Sequence, residues 1–470
     1  MTSTALAKVH NDFMVNYEKR LDISYKKENG IFYTDYGLAD RIIKELMIDS
    51  SSIVLDPCCG VGSFLFAAVH NGIKKIYGAD IDNNAVDSCI RNLESTRVVA
   101  VDTLSPSASS TIESLGLTAE VDYVIGNPPY AQINSNTKLK TNDKHFINKV
   151  SNTGNNLFIA AILRAFDLVK LGGIIAYIIP KNFLHVKTYS SIRKELIREK
   201  TIVSIIDIGA HFKNVRGEQV VLIIKNEKSM NNNILLKKLN NSFFDEMTSI
   251  RQDFFSDEIL LFNSDKEFSI YKKMIASYKT IGDICTGYVG RGKSTSDNAI
   301  VGKEIRKFGY KNTSLPKNGN RVFIQNIYSA EAGIIAAFGG DLEAAQTVTV
   351  FTDGNEKMCR YILAILHSRL CNYFLYKFCY NSSSLTMHTD AKYLKMIPLV
   401  IAESELFEKV INVVSLIENE GYMTKRWYNY MEVLNNLVYL AYGIDEDEVQ
   451  FIDNEMRKVQ SKRWQMYEYR

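Results

Sequence analysis

Apolar residues along the chain collect in short runs bounded by turn-forming or charged positions. The runs Ser52–Asp56, Lys75–Asp80, Val98–Val101, Asp122–Gly126, Ile174–Ile179, Thr201–Ile208 and Gln219–Lys225 read as buried strands. Between them the spacing of apolar positions is helical, over Gly37–Met47, Phe64–Asn71, Asn83–Leu93, Asn156–Val169 and Lys187–Glu199. Asp82 stands where an N-cap is expected. Strands alternating with helices predict an α/β fold with seven strands in a doubly wound, Rossmann-like sheet, the last two strands close together. Residues 1–30 look helical and polar, with Phe13, Val15, Tyr17 and Leu21 as packing points. The stretch from Gln132 to Asn155 is long and polar and carries Lys138, Lys140, Lys144 and Lys149, so a mobile flap that orders on nucleic acid is expected.

Beyond Lys225 the pattern changes. The Asn-rich stretch 231–241 looks like a boundary. Short strands around Ile281–Ile284 and a basic glycine turn at Gly287–Lys293 precede a helix expected over Arg360–Tyr376. Residues 403–470 are helical, and one helix ends at Gly443. The expected division is 1–29, an N-terminal helical extension; 30–230, a catalytic domain; 231–402, an α+β domain; and 403–470, a helical region.

At 46% hydrophobic and 23% charged residues over 470 positions, the composition is that of a soluble globular protein of two or three domains. No apolar run approaches the ~20 residues of a membrane span, and Met1–His10 lacks the apolar core of a leader. Seven cysteines without paired CxxC spacing argue against a disulfide framework and structural zinc, and for a reducing cytoplasm. No metal site is expected. The net charge of +3 announces no polyanionic partner. Between Tyr271 and Ala330, however, eleven Lys and Arg stand against three Asp and Glu, the footprint a phosphate backbone selects.

Chemistry concentrates at strand ends. Asp56 leads into Pro57-Cys58-Cys59-Gly60-Val61-Gly62-Ser63-Phe64, whose glycines let the backbone approach a ligand closely. No Lys-Ser/Thr follows, so this is not a phosphate loop. Asp80 ends the second strand, where a carboxylate can accept from ribose hydroxyls, and Asp102 follows the third, placed to accept from an adenine amine. The fourth strand delivers Asn127-Pro128-Pro129-Tyr130. Two prolines hold the turn rigid. The array offers an amide side chain, free carbonyls and an aromatic wall, which suits a planar group bearing an NH₂.

Asn-Pro-Pro-Tyr resembles the catalytic motif of amino-methyltransferases acting on adenine N6, cytosine N4 or protein glutamine. Asp-Pro-x-x-Gly-x-Gly-x-Phe resembles an S-adenosylmethionine loop. With Phe32-Tyr33-Thr34 ahead of both and a large C-terminal part behind, the order looks like the gamma class (TaqI-methylase-like) of N6-adenine DNA methyltransferases, over roughly residues 28–226. The resemblance implies a methyltransferase domain followed by a target-recognition domain. It also implies S-adenosylmethionine as cofactor, held by Thr34, Asp56, Pro57, Cys58, Gly60, Asp80, Ile81, Asp102 and Thr103. Asn127, Pro128, Pro129 and Tyr130 would be catalytic. Tyr130 and Tyr189 would stack on a flipped adenine, with Phe183 the alternative to Tyr189. Lys138, Lys140, Arg291 and Lys293 are the expected DNA contacts. Double-stranded DNA is the expected partner of a monomer, beside a separate cognate restriction endonuclease, in a bacterial or phage-host cytoplasm near the nucleoid. An RNA adenine methyltransferase and a protein glutamine methyltransferase are the alternatives.

Overall fold

A computed structural model describes residues 3–22, 30, 32–93, 96–104, 107–134, 139, 141, 143–212, 217–241, 243–277, 279–292, 299–380, 382, 387–388 and 391–460. The chain forms two compact units, Met1–Asn263 and Ser264–Arg470.

Unit one is built on a nine-stranded sheet. Its strands are β1 Ile53–Asp56, β2 Lys75–Asp80, β3 Arg97–Ala100, β4 Val121–Gly126, β5 Val169–Pro180, β6 Thr201–Gly209, β7 Gln219–Lys225, β8 Asn233–Asn240 and β9 Phe243–Arg251. They lie in the order β3-β2-β1-β4-β5-β7-β6-β8-β9. Strands β1 to β5 run parallel, and β7 is antiparallel to both its neighbours. Its described helices are α1 Ser3–Arg20, α2 Tyr36–Glu45, α3 Ser63–His70, α4 Asn83–Asn92, α5 Ala108–Ser114, α6 Lys144–Asn152, α7 Leu157–Leu168 and α8 Ser190–Glu199.

The strands read as continuous apolar runs because both sheet faces are covered. Val54, Ile125, Ala176 and Ile178 join one core with Ile42 of α2 and Leu65 of α3. Their strand neighbours Leu55, Val124, Ile175 and Tyr177 are equally buried and point to the other face. Strand order reverses between β1 and β4, which opens a crevice at their carboxyl ends.

Several expectations need correction. The sheet does not stop at seven strands: β8 pairs parallel with β6, and β9 antiparallel with β8. The Asn-rich stretch shapes turns. Asn231 and Asn241 take left-handed φ values of 60° and 47°, which asparagine tolerates. The end expected at residue 230 therefore falls inside unit one. The expected flap 132–155 contains α6, capped by Asp143, with Phe146 and Val150 buried one turn apart. The described part of the expected extension 1–29 does not stand apart, because α1 packs Met14 and Tyr17 on Val61 and Ala85.

Unit two holds a four-stranded antiparallel sheet, ordered Thr286–Val289, Val348–Thr352, Arg321–Gln325, Ala336–Phe338. The helix expected over 360–376 is broken at Ser368, whose hydroxyl caps Arg369–Phe374 behind Glu356–His367. The helices Ser404–Asn419, Lys425–Ala441 and Glu446–Val459 belong to the same compact unit, so 403–470 is not set apart. Among the described residues no helix is long and apolar enough to cross a membrane.

Candidate functional site

The Asn-Pro-Pro-Tyr turn sits at the carboxyl end of β4, beside β1. Gly126 has φ +146°, and a Cβ there would lie 2.6 Å from Asp56 Oδ1. The Asp56 carboxyl is 1% exposed and fills the space between the two strand ends. Burial raises it well above the ordinary carboxylate range, against the Cys58 N–H that donates to it at 3.1 Å. Asp56 therefore shapes the crevice from beneath.

Asn127 is locked by its own amide. Nδ2 donates to the Phe32 carbonyl at 2.9 Å, which turns Oδ1 to the opposite side. There the Tyr130 hydroxyl donates to Oδ1 at 2.6 Å, with the Ile178 carbonyl at 3.2 Å as a second acceptor. Burial pushes the Tyr130 phenol far up, so it stays a donor. Its backbone is tied on both sides: the N–H donates to the Gly30 carbonyl at 3.2 Å, and the carbonyl accepts from Asn156 Nδ2 at 3.0 Å. The half-buried ring rests against Phe32, 5.7 Å between centroids.

The neighbouring crevice is lined by the loops after β1, β2 and β3. The Gly60 N–H donates to Asp80 Oδ2 at 2.7 Å, and the Asp82 N–H donates to Oδ1 at 2.9 Å. Each carboxylate oxygen keeps a lone pair. Burial raises the Asp80 carboxyl, against those two N–H groups. Gly60 has φ +52°, and a Cβ there would meet the Tyr33 ring at 2.7 Å, so only glycine passes under that ring. The Thr34 hydroxyl is buried and has no partner among the described residues. Ile81 is 59% exposed between two acids, an apolar shelf at the rim. Cys58 is half-buried beside it. Asp102 Oδ1 accepts from the Leu104 N–H. Thr103 is engaged elsewhere: its buried hydroxyl donates to the Pro57 carbonyl at 2.7 Å and ties two loops together.

Tyr189 departs from expectation. Its ring packs edge-on to Phe158 and tilted on Phe183, with centroids 5.3 and 5.9 Å away. Gly154 lies against it so closely that a Cβ there would be 2.7 Å from the ring. At 9% exposure it offers no free face, and Phe183 is fully buried. Arg291 is exposed. Lys138, Lys140 and Lys293 lie outside the described residues.

Sequence reading missed two buried cations that hold the loop after β5. Lys181 pairs with Asp207 at 2.9 Å and Glu218 at 2.6 Å; burial pulls its pKa down, but the two acids carry it above its ordinary value. Arg193, with no exposed side-chain surface, binds the loop carbonyls and Asp257. Tyr17 of α1, expected as a packing point, also donates its hydroxyl to Asp82 Oδ2 at 2.8 Å.

Residues 8–283 match the family model described as N-6 DNA Methylase. The Type II methyltransferase M.VspI of Vibrio sp. (strain 343) is 31% identical over 220 residues, 45% of this chain and 51% of that protein. The Type II methyltransferase M.HincII of Haemophilus influenzae is 23% identical over 189 residues, 40% of this chain and 34% of that protein. The chain thus spans about half the length of the first relative and a third of the second. The solved Type IIL restriction-modification enzyme MmeI, in complex with DNA, shares the fold at a TM-score of 0.52 and 11% identity, covering 98% of this chain and 79% of that one.

Proposed function

Because the chain belongs to the N-6 DNA methylase family, we propose that it is an S-adenosylmethionine-dependent enzyme methylating adenine N6 at specific sites in double-stranded DNA. The observation that carries this reading is the orientation of Asn127. With Nδ2 held by Phe32, its oxygen can only be an acceptor on the side of Tyr130.

An exocyclic amine is a poor nucleophile because its lone pair is delocalised into the ring, and a base inside a duplex is out of reach. Extraction from the stack is required. Asn127 Oδ1 and the Pro128 carbonyl would accept the two N6 protons, favouring a tetrahedral nitrogen. Pro128 and Pro129 keep both acceptors in place before the base arrives. The Tyr130 hydroxyl now occupies Oδ1, but it can turn to the Ile178 carbonyl and release that oxygen without losing its own partner. Tyr130 supplies the stacking face. Tyr189 would have to leave its cluster with Phe158 and Phe183 to reach the opposite side, so Tyr130 carries the stacking in this reading.

The crevice residues fit the cofactor. Asp80 and Asp102 could accept from its hydroxyl and amino groups, the exposed Ile81 would offer an apolar face to its adenine, the Thr34 hydroxyl has no partner among the described residues, and the backbone at Cys58 and Gly60 would allow close approach. The cofactor supplies an electrophilic methyl group for the amine. Asp80→Ala should weaken S-adenosylmethionine binding by about 1.5–3 kcal/mol, since charge-assisted hydrogen bonds are lost. Calorimetric titration measures it, and unchanged affinity in a folded variant removes Asp80 from the site. The raised Asp80 pKa also gives a sign. Affinity should hold above that value and fall as pH drops through it, at higher pH than for an ordinary carboxylate. Asp80→Asn should be weak throughout and lack that step.

Duplex DNA is the proposed partner of a cytoplasmic monomer, with a separate cognate nuclease. Methylation-sensitive long-read sequencing of DNA and RNA from cells expressing the protein tests the whole reading. Modified adenines within a short DNA sequence are expected. Unmodified DNA beside modified RNA would replace it with the RNA alternative.

A further inference from the structure

We propose that the hairpin Ile305–Tyr310 in unit two carries a binding site for the phosphodiester backbone of duplex DNA. The inference rests on the reading of the chain as a DNA-acting enzyme and assigns residues that the sequence pattern left undistinguished.

The hairpin is rigidly seated. Its strands Ile305–Arg306 and Gly309–Tyr310 pair antiparallel. Phe308 at the turn has φ +59°, a left-handed conformation that is costly for a bulky side chain. It is held there because its ring is buried on the His367 ring, 4.2 Å between centroids, and its N–H donates to the Ala336 carbonyl at 2.9 Å. A position paid for by strain and anchored by burial presents its neighbours in one arrangement.

Those neighbours are cations. A cleft of about 590 Å³ beside the hairpin is lined by Arg306, Lys307, Lys311 and Tyr422, and also by Glu418 and Glu420. A second, of about 410 Å³, shares all four and adds Lys303. Among the described residues Lys303, Arg306 and Lys311 form no ion pair. The acids nearby are engaged elsewhere. Glu418 pairs with Arg360 at 3.0 Å, Glu420 with Arg426 at 3.8 Å, and Glu304 accepts from the Val301 N–H at 2.9 Å. The Arg306 guanidinium lies over the Tyr422 ring, 4.9 Å from its centroid, which holds its plane while leaving its edge donors for an anion. The positive charge of Lys303, Arg306 and Lys311, without an ion pair among the described residues, outnumbers the two engaged acids of the cleft and suits a repeating anion read without regard to sequence, which is what a nucleic-acid backbone offers.

The test uses the full chain and a fluorescein-labelled duplex of mixed sequence, because the backbone term needs no recognition site. Anisotropy titrations at several salt concentrations compare wild type with Arg306→Gln/Lys311→Gln. The slope of log affinity on log salt should fall by about 1.8, so that a fourfold rise in salt costs roughly 12-fold less affinity than in wild type. S-adenosylmethionine affinity and the thermal midpoint should not move. If the double variant does not fold, Lys303→Gln alone should lower the slope by about 0.9. An unchanged slope in a folded variant overturns the site while leaving the enzymatic reading intact. Inorganic phosphate is the second probe. A variant that loses phosphate binding but keeps the DNA slope makes this a small-anion site and also overturns the proposal. A wild type that does not bind duplex at all removes the DNA reading itself.

Discussion

Asn127→Ala is expected to remove methyl transfer while leaving cofactor and DNA binding in place. Alanine deletes the side-chain acceptor whose direction the protein dictates. The Phe32 carbonyl takes the amide hydrogen, so Oδ1 faces the hydroxyl of Tyr130 and, in the proposed mechanism, the incoming amine. The contact strengthens as the nitrogen pyramidalises, so its loss belongs in kcat rather than KM. Removing one preorganised partner of this kind costs on the order of 10²–10³ in rate. The damage to the fold should be small, because Tyr130 keeps the Ile178 carbonyl and only Phe32 loses a donor. A single-turnover assay with tritiated cofactor on site-containing DNA, beside 2-aminopurine fluorescence for base extraction, reads both halves. Near wild-type transfer would reduce Asn-Pro-Pro-Tyr to a structural turn and end the functional reading.

Arg193→Ala is expected to be the most destabilising single change considered. The guanidinium has no exposed surface and is fully committed. One nitrogen donates to the Phe183 carbonyl at 2.8 Å and the Val186 carbonyl at 2.7 Å. Another reaches Asp257 Oδ1 at 2.7 Å, and Nε reaches the Asp257 carbonyl at 3.1 Å. Truncation takes a donor from three carbonyls, of which Val186 keeps the Tyr189 N–H at 3.1 Å, and leaves a carboxylate short of its partner. Breaking a buried pair of this kind costs about 3–5 kcal/mol, or roughly 5–9 °C in the midpoint of a unit this size. Ser190 Oγ still donates to Asp257 Oδ2 at 2.5 Å, and this sets the lower end of the range. Differential scanning calorimetry decides. A drop of only a degree or two would show that the loop from Pro180 to Tyr189 does not depend on this arginine.

Much of unit one is legible in the residues because local chemistry and tertiary position agree there. Asp56 and Asp80 end β1 and β2, Asp82 caps α4 through the Asn84 N–H, and Asn127 leaves β4 at the crevice. Legibility fails where the decisive contact is distant in sequence. Nothing near Tyr189 announces that Gly154 will close over its ring. Arg193 looks like one more charge on a solvated helix face until Asp257, 64 residues further along the chain, arrives beside it. Strands β8 and β9 hide because Asn231 and Asn241 read as punctuation between domains rather than as left-handed turns. The helix α6 was within reach: Asp143 followed by Phe146 and Val150 is a cap ahead of an apolar pair spaced one turn apart.

The proline after Asn127 also bears on how long the protein lasts. An asparagine ages when the backbone nitrogen of the next residue attacks the side-chain carbonyl and closes a succinimide, which opens to aspartate. Pro128 has no N–H with which to do so, and the Asn127 amide is held by Phe32. An aspartate at that position would set a carboxylate against the Phe32 carbonyl and lose the orientation on which the proposed chemistry depends. Chemical ageing should fall first on Asn29, Asn71 and Asn318, each followed by glycine, while the acceptor at position 127 outlives them.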